Sequence, residues 1–154
     1  DYYIFTSEDD FKNKVSNDFF LEHALVHGNF YGTSKDFVET KIAEGINIIL
    51  EIDVQGVQQI KSTNFAHESI FLLPPSIDSL TERLNERGTN SKESIELRLS
   101  NAMKEIPSCK DYDHILVNDV FEDCCNDLAR IITGEDSFPM NSKKELFLTK
   151  LLNS

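Results

Sequence analysis

Residues 69–87, SIFLLPPSIDSLTERLNER, decide the fold because they join a short aliphatic run to a helical pattern through two prolines. The run at 69–74 predicts a buried β-strand, and Pro74 and Pro75 end it because proline lacks the N–H that a strand ladder needs. The pattern after the prolines predicts an amphipathic helix over 77–87. A strand followed directly by a helix is typical of a parallel sheet covered by helices.

The alternation of strands and helices continues along the rest of the chain. Further strands are predicted at 46–53 (INIILEID) and 114–119 (HILVND), because both runs are short, aliphatic and end in polar residues. Helices are predicted at 8–17 after a Ser7 cap, 35–44 after a Ser34 cap, 55–61, 92–106, 122–133 and 143–152. We therefore predict an α/β fold in a single domain, 1–154.

The composition limits the ligands that such a domain would bind. The 154 residues carry 27 acidic and 15 basic side chains, and the resulting net charge of −12 opposes binding to a nucleic acid polymer or an anionic membrane surface. A small nucleotide fits this charge better. No apolar run approaches the roughly 18 residues of a membrane span. The acidic start DYYIFTSEDD does not resemble a signal peptide, so we predict a cytoplasmic protein.

The cysteines and histidines do not show the spacing of a metal site. The three cysteines are Cys109, Cys124 and Cys125. Their odd number and spacing indicate reduced, partly buried thiols. His23 and His27 are four residues apart, as two ligands on a helix would be, but Gly28 interrupts the pattern and no third ligand is near. The sequence therefore favours free thiols over a metal centre.

Three arginines surround a glycine in an otherwise acidic chain. Arg83 and Arg87 are four residues apart and share one face of a helix, while Arg98 lies on a second helical pattern beyond Gly88. A guanidinium group can donate two parallel hydrogen bonds to a phosphate. Arginines placed on both sides of a glycine therefore predict a hinged lid that binds phosphate. The alternative is a set of solvated ion pairs with neighbouring glutamates.

Residues 19–37, FFLEHALVHGNFYGTSKDF, are rich in aromatic and hydrogen-bonding side chains and predict a small irregular lobe. Glu22, Tyr31 and Thr33 could converge there, because a carboxylate accepts from the N–H groups of guanine and a hydroxyl donates to a phosphate or a carbonyl. The alternative is that Tyr31 packs as a half-buried aromatic and that Glu22 is exposed.

The predicted strand at 46–53 ends in two carboxylates, Glu51 and Asp53, on the same side of the strand. Open α/β sheets bind ligands at the carboxyl ends of their strands. Asp53 could therefore hold Mg²⁺ through a water molecule or accept a hydrogen bond from a nucleotide. The alternative is an ordinary polar strand end.

Five stretches together resemble successive motifs of the guanylate kinase family, the enzymes that phosphorylate GMP from ATP. They are FLEHALVHGNFYGTS, ILEIDVQGVQQIK, IFLLPPS, RLNERGTNSKESIELRL and ILVND, and they span nearly the whole chain. The resemblance implies the parallel sheet of a P-loop kinase flanked by helices. It further implies a GMP-binding lobe at about 1–34, a core at 35–86 and 107–154, and a helical lid at about 87–106.

The resemblance also implies roles for single residues on the GMP side. Tyr3, Glu22, Tyr31 and Thr33 correspond to residues that bind GMP, with Tyr3 matching a tyrosine that contacts the phosphate. Asp53 corresponds to the acidic residue near the guanine and the magnesium ion. These residues are therefore the expected substrate-binding set.

On the ATP side, the resemblance points to arginines and an asparagine. Arg83, Arg87 and Arg98 correspond to the catalytic arginines that engage the nucleotide phosphates as the lid closes, with Arg83 and Arg87 also binding ATP. Asn118 corresponds to an asparagine near the ATP base. Glu51 departs from the aspartate that is more usual at its position, and its longer side chain could alter the surroundings of the metal.

One family feature is missing from the sequence. The chain has no G-x-x-x-x-G-K-[ST] motif, whose backbone amides and lysine cradle the donor phosphates. In the family this loop, the first central strand and two further arginines lie upstream of the position of Asp1. We therefore expect the chain to be part of a longer enzyme, and we expect these 154 residues to be inactive without the loop.

The resemblance implies phosphoryl transfer from ATP to GMP, giving ADP and GDP, with Mg²⁺ as cofactor. GMP and ATP are then the partners, with neither nucleic acid nor membrane, and the oligomeric state stays open, a homodimer included. A second hypothesis is a non-catalytic binding module that holds phosphorylated partners in the GMP lobe. A third is adenylate kinase or another nucleoside monophosphate kinase, which Glu22 and the FYGTS motif disfavour.

Overall fold

The structure is a computed structural model that describes residues 3–26, 28–86, 92–135, 137–138 and 142–153. The chain divides into two compact units, Asp1–Ala66 and His67–Ser154, which we call the N-terminal and C-terminal units. The lobe, core and lid boundaries expected above stay a prediction.

The N-terminal unit combines helices with a two-stranded antiparallel sheet. Its elements are α1 (Glu8–Ser16), β1 (Phe20–Val26), β2 (Asn29–Ser34), α2 (Lys35–Ala43) and α3 (Val54–Lys61). The Ser7 hydroxyl accepts a hydrogen bond from Asp10 N, and the Ser34 hydroxyl accepts one from Phe37 N. Both serines therefore cap helices, as predicted from the sequence.

The irregular backbone predicted at 19–37 is wrong, because β1 and β2 form a hairpin there with one register shift in β1. The ladder runs to the pair Val26 and Asn29, which leaves a two-residue connection. Gly28 lies in this connection with a φ of +83°, a conformation that glycine adopts without steric cost. Aromatic and branched side chains on both sides of such a turn favour strands.

The strand predicted at 46–53 is also wrong. This segment is not assigned to a strand, and neither sheet of the described residues includes it. Its side chains still alternate, because Ile48, Leu50 and Ile52 pack against a buried cluster while Ile49 is 68% exposed. The cluster consists of Leu21, Val38 and Ile60. The pattern thus predicted the inward face correctly, but a strand also needs a hydrogen-bonded neighbour.

The C-terminal unit contains a parallel pair of strands surrounded by helices. Its elements are β3 (Ile70–Leu73), α4 (Ile77–Glu86), α5 (Lys92–Glu105), a 3-10 helix (Ile106–Asp111), β4 (His114–Val117), α6 (Phe121–Ile132) and α7 (Ser142–Leu152). The register pairs Ile70 with His114 and Leu73 with Val117. Both predicted strands of this unit are confirmed.

Strand β4 is buried on both faces. Ile115 belongs to one apolar cluster, with members from β3, the 3-10 helix and α7, and the adjacent Leu116 belongs to another, with members from α6. Consecutive residues of a strand point to opposite faces. Helical segments therefore cover both sides, as parallel strands require.

All three cysteines are free, with Cys109 and Cys124 buried and Cys125 exposed. Burial raises the pKa of the Cys109 and Cys124 thiols. The thiols are unpaired, as predicted, but Cys125 is exposed and not partly buried. The two buried thiols are poor nucleophiles. Separately, none of the helices in the described residues is long and apolar enough to cross a membrane.

Ser69 links the residues that precede β3 and β4. Its backbone N–H and its hydroxyl both donate to Asp113 Oδ2, at 2.8 and 2.6 Å, and Asp113 N donates back to the hydroxyl at 3.1 Å. The Ser69 residue is only 5% exposed. This reciprocal bonding helps to set the parallel register, which brings the carboxyl ends of both strands to one edge.

A Ser69→Ala variant is expected to lower the free energy of unfolding by about 1–3 kcal/mol, because the Asp113 N–H loses its acceptor and the carboxylate loses a donor. Urea unfolding monitored by circular dichroism measures the change. Ser100→Ala, at an exposed position of α5, is the matched control and should stay within about 0.5 kcal/mol of the unsubstituted protein. Equal stabilities for the two variants would contradict the role of Ser69.

Candidate functional site

Glu22 is turned inwards by an irregularity in the hairpin. The register places Phe20 opposite Ser34 but Glu22 opposite Thr33, so β1 contains an extra residue at this point. A β-bulge of this kind changes the direction of a side chain. As a result the consecutive residues Leu21 and Glu22 are both 5% exposed. The alternative hypothesis of an exposed Glu22 is therefore wrong.

The Glu22 carboxylate lies between β2 and the start of α3. Thr33 Oγ1 donates to Glu22 Oε1 at 2.5 Å, which brings together two residues of the predicted guanine-binding set. A Cβ atom added at Gly56 would lie 2.9 Å from Glu22 Oε2. Such a distance is too short for a real contact, so a glycine at this position leaves the room that the carboxylate occupies.

Gln59 of α3 hydrogen-bonds the backbone of β1 next to Glu22. Its Oε1 accepts from His23 N at 3.0 Å, and its Nε2 donates to His23 O at 2.8 Å. Nothing in the sequence indicates this role of Gln59, because a glutamine on a helix gives no sign of which backbone groups it will reach. The imidazole of His23 packs edge-on against Phe11.

Asp53 is the N-cap of α3. Its Oδ1 accepts from Gly56 N at 2.8 Å, and its Oδ2 has a longer contact of 3.5 Å with Gln55 Nε2. Its position at a strand end is wrong, since no strand precedes it, but its position before a helix is confirmed. One carboxylate oxygen is thus used by the cap, and the other is more weakly held. Glu51 is exposed.

Tyr3 and Tyr31 lie close to each other on the N-terminal unit. Their ring centroids are 6.3 Å apart in an edge-to-face arrangement. Tyr3 is 72% exposed and Tyr31 is 44% exposed. Both phenols can therefore present hydroxyl groups to a ligand at the surface.

In the C-terminal unit, Arg83 reaches the carboxyl end of β4. Its guanidinium donates to the backbone oxygens of Asn118 and Asp119, at 2.9 and 3.4 Å. The structure therefore brings together Arg83 and Asn118, two residues of the predicted ATP-binding set. Asn118 N in turn donates to Leu73 O at 2.8 Å, which fixes this strand end to β3.

Arg98 lies on α5 with an unused donor. Among the described residues, its Nε is the one buried side-chain nitrogen or oxygen without a hydrogen-bond partner. Arg87 lies outside the described residues. Within those residues, neither Arg83 nor Arg98 forms an ion pair, so the alternative of solvated pairs with neighbouring glutamates is not seen for these two arginines.

Comparison with known proteins gives one consistent family. Residues 1–135 match the family model described as guanylate kinase. The guanylate kinase of Buchnera aphidicola subsp. Acyrthosiphon pisum is 40% identical over 153 residues, and the match covers 98% of this chain and 74% of that protein. The guanylate kinase of Escherichia coli K12 is 44% identical over 135 residues, and the match covers 88% of this chain and 65% of that protein. The guanylate kinase of Hydrogenovibrio crunogenus is 45% identical over 129 residues, and the match covers 84% of this chain and 63% of that protein.

A solved structure supports the same fold. The crystal structure of guanylate kinase from Anaplasma phagocytophilum is 29% identical to this chain, with a TM-score of 0.69. The match covers 97% of this chain and 74% of that one. The predicted α/β fold class is confirmed. The chain spans about two thirds to three quarters of the length of these relatives.

Proposed function

The chain belongs to the guanylate kinase family, and from this premise we propose that its protein transfers a phosphoryl group from ATP to GMP, giving ADP and GDP. The observation that carries the proposal is the buried Glu22 carboxylate, held between the Thr33 hydroxyl and Gly56. A buried carboxylate with spare acceptor capacity suits a ligand that presents several N–H groups.

Guanine presents such groups in its N1–H and its amino group at C2. Glu22 accepts one hydrogen bond from Thr33, and an ionised carboxylate has about four acceptor positions, so capacity remains for both guanine donors. Adenine presents an acceptor at N1 and no amino group at C2. The same carboxylate therefore disfavours AMP, because its buried oxygens would face a lone pair.

The neighbouring tyrosines suit the phosphate of GMP. Tyr3 and Tyr31 are close together and exposed, so their hydroxyls are available to donate to phosphate oxygens. We propose that these two phenols hold the phosphate while Glu22 and Thr33 hold the base. The acceptor nucleotide would then be bound at both ends, which orients it for reaction.

The C-terminal unit supplies groups suited to the donor nucleotide. Arg83 is held at the end of β4 beside Asn118, and Arg98 carries a buried donor that has no partner among the residues the structure describes. Phosphoryl transfer spreads negative charge over several oxygens, and fixed guanidinium groups stabilise it. We propose that Arg98 and Arg83, together with Arg87, neutralise this charge, so no side-chain nucleophile is required.

Asp53 is the residue of the proposed site that suits Mg²⁺. Asp53 uses Oδ1 to cap α3, while Oδ2 has only a 3.5 Å contact among the described residues. Magnesium in phosphoryl transfer keeps several waters and takes few carboxylates. Asp53 would hold the ion through a water molecule, and the ion would supply positive charge to the phosphate oxygens. The proposed setting is purine nucleotide metabolism in the cytoplasm.

The proposal is tested by measuring ADP formation with GMP, AMP and dUMP as acceptors. The assay uses the protein with a G-x-x-x-x-G-K-[ST] segment ahead of Asp1, since donor binding in the family depends on that loop. We expect turnover with GMP and little with AMP or dUMP, because Glu22 accepts from guanine donors. Binding of phosphopeptides without any turnover would favour the non-catalytic module instead. Preferred turnover of AMP would favour another nucleoside monophosphate kinase.

A further inference from the structure

Gln59 holds the backbone of β1 as a neighbouring strand would. The carboxamide accepts from His23 N at 3.0 Å and donates to His23 O at 2.8 Å, so one side chain satisfies both backbone groups of one residue. Within the described residues, β1 has a single partner strand, β2. Without Gln59, both groups of His23 would need other partners, because unpaired buried backbone groups are costly.

This contact fixes the residue before His23 as well. The N–H of His23 belongs to the peptide unit that begins at Glu22, and a peptide unit is planar. A hydrogen bond to His23 N therefore sets the orientation of the plane that carries the Glu22 Cα atom. The register irregularity in β1 lies just before this point, where the ladder to β2 is disturbed and gives the strand less support.

Helix α3 constrains Glu22 both at its carboxylate and at its backbone. Gly56 lies against the carboxylate oxygen Oε2, and Gln59 holds the peptide that follows Glu22. These two helix residues are three apart and so lie on one face of α3. The Asp53 cap fixes the first turn of that helix through Gly56 N. Helix α3 thus determines both the backbone and the side-chain position of Glu22.

We propose that Gln59 is a positioning residue for guanine recognition, acting through the His23 peptide to hold Glu22 in the orientation that reads the base. The inference rests on the proposed function, because it gives Gln59 a task in the same site. Gln59 itself does not touch the substrate. Replacing Gln59 should therefore weaken the preference for guanine, and this effect should be absent in a protein whose Glu22 has already been replaced.

The first test is calorimetry of GMP and AMP binding to Gln59→Leu. We expect the GMP affinity to fall about fivefold, corresponding to the loss of an ordinary hydrogen bond, with AMP affinity unchanged. Gln58→Leu is the matched control, since Gln58 is the adjacent glutamine of α3 and is exposed. It should bind GMP as the unsubstituted protein does. Amide hydrogen exchange at His23 should become faster only in Gln59→Leu.

A double variant separates positioning from general stability. If Gln59 acts through Glu22, then Gln59→Leu should cause no further loss of GMP affinity in a Glu22→Gln protein, because coupled residues are not additive. A merely structural role would lower the unfolding temperature and leave the ratio of GMP to AMP affinity unchanged, and that outcome would overturn the inference. Gln59→Glu serves as a second variant, because it keeps the acceptor for His23 N and loses the donor to His23 O.

The outcomes also distinguish this inference from the function on which it rests. If the unsubstituted protein binds no GMP, the proposed function fails and the inference fails with it. If the unsubstituted protein prefers GMP and both Gln59 variants keep the full preference, only the inference fails. An intermediate preference for Gln59→Glu, between those of the unsubstituted protein and Gln59→Leu, supports the two-bond account.

Discussion

A Glu22→Gln variant is expected to bind GMP about 10- to 100-fold more weakly than the unsubstituted protein, with no loss of AMP affinity. Hydrogen bonds to a charged group contribute about 1.5–3 kcal/mol each. The substitution replaces a carboxylate oxygen by an NH₂ donor, which would face the donors of guanine. The buried position of Glu22, at 5% exposure, prevents water from replacing the lost acceptor.

Calorimetric titration with both nucleotides measures this effect. Glu39→Gln, at an exposed position of α2, removes the same charge from the same unit and is the matched control. Since Glu39 is solvated, we expect GMP affinity to stay within about twofold of the unsubstituted value. Equal losses of GMP and AMP affinity in Glu22→Gln would contradict base recognition by this carboxylate and would indicate a general disturbance of the lobe.

Replacing Arg98 by Ala is expected to slow phosphoryl transfer to GMP at least about tenfold, which is about 1.4 kcal/mol of transition-state stabilisation. The physical reason is the buried Nε of Arg98, which has no partner in the part of the chain that the structure describes. A donor that is desolvated but unused becomes favourable when an anionic group reaches it.

Steady-state kinetics with the donor-phosphate loop present separate this role from a general effect. Arg130→Ala is the control, because Arg130 lies on α6, is half exposed and pairs with Asp127. It should change turnover by less than about twofold, as expected for a surface ion pair. An unchanged rate in Arg98→Ala would show that this arginine only covers the helix surface. A loss of rate in both variants would show that the total positive charge, and not the position of Arg98, determines the rate.

The helices of this protein could be predicted from local sequence because their signals are local. Ser7 and Ser34 both accept hydrogen bonds from the first turn of the following helix, as their positions before amphipathic patterns indicate. Strand β3 was predicted correctly because two prolines end an aliphatic run. Such features need no knowledge of distant residues.

Features that depend on pairing were harder to predict. The segment at 46–53 has the alternation of a strand, yet no strand of the described residues pairs with it. The hairpin of β1 and β2 was missed because its turn rests on Gly28 with a positive φ, and the sequence does not show which of its two nearby glycines, Gly28 or Gly32, forms a turn. Periodicity reports which side is buried, whereas the ladder depends on what lies beside the strand.

The candidate site likewise combines features that could be predicted from the sequence with features that could not. The partnership of Glu22 and Thr33 was predicted as a convergence, and the structure joins them by a hydrogen bond. The bulge that buries Glu22, the room left by Gly56 and the carboxamide of Gln59 were not predicted. The bulge depends on how β1 pairs with β2. The other two features depend on how α3 meets β1, across 36 positions for Gln59 and His23, which no short motif encodes.

Calorimetric titration of the protein with GMP is the decisive measurement, because a carboxylate enclosed by a threonine hydroxyl and a helix glycine should recognise guanine. We expect saturable binding of GMP at or below millimolar concentration, stronger than that of AMP, and loss of the preference for GMP in Glu22→Gln. Absence of heat with GMP at millimolar concentration, or equal binding of the two nucleotides by the unsubstituted protein, would contradict this expectation.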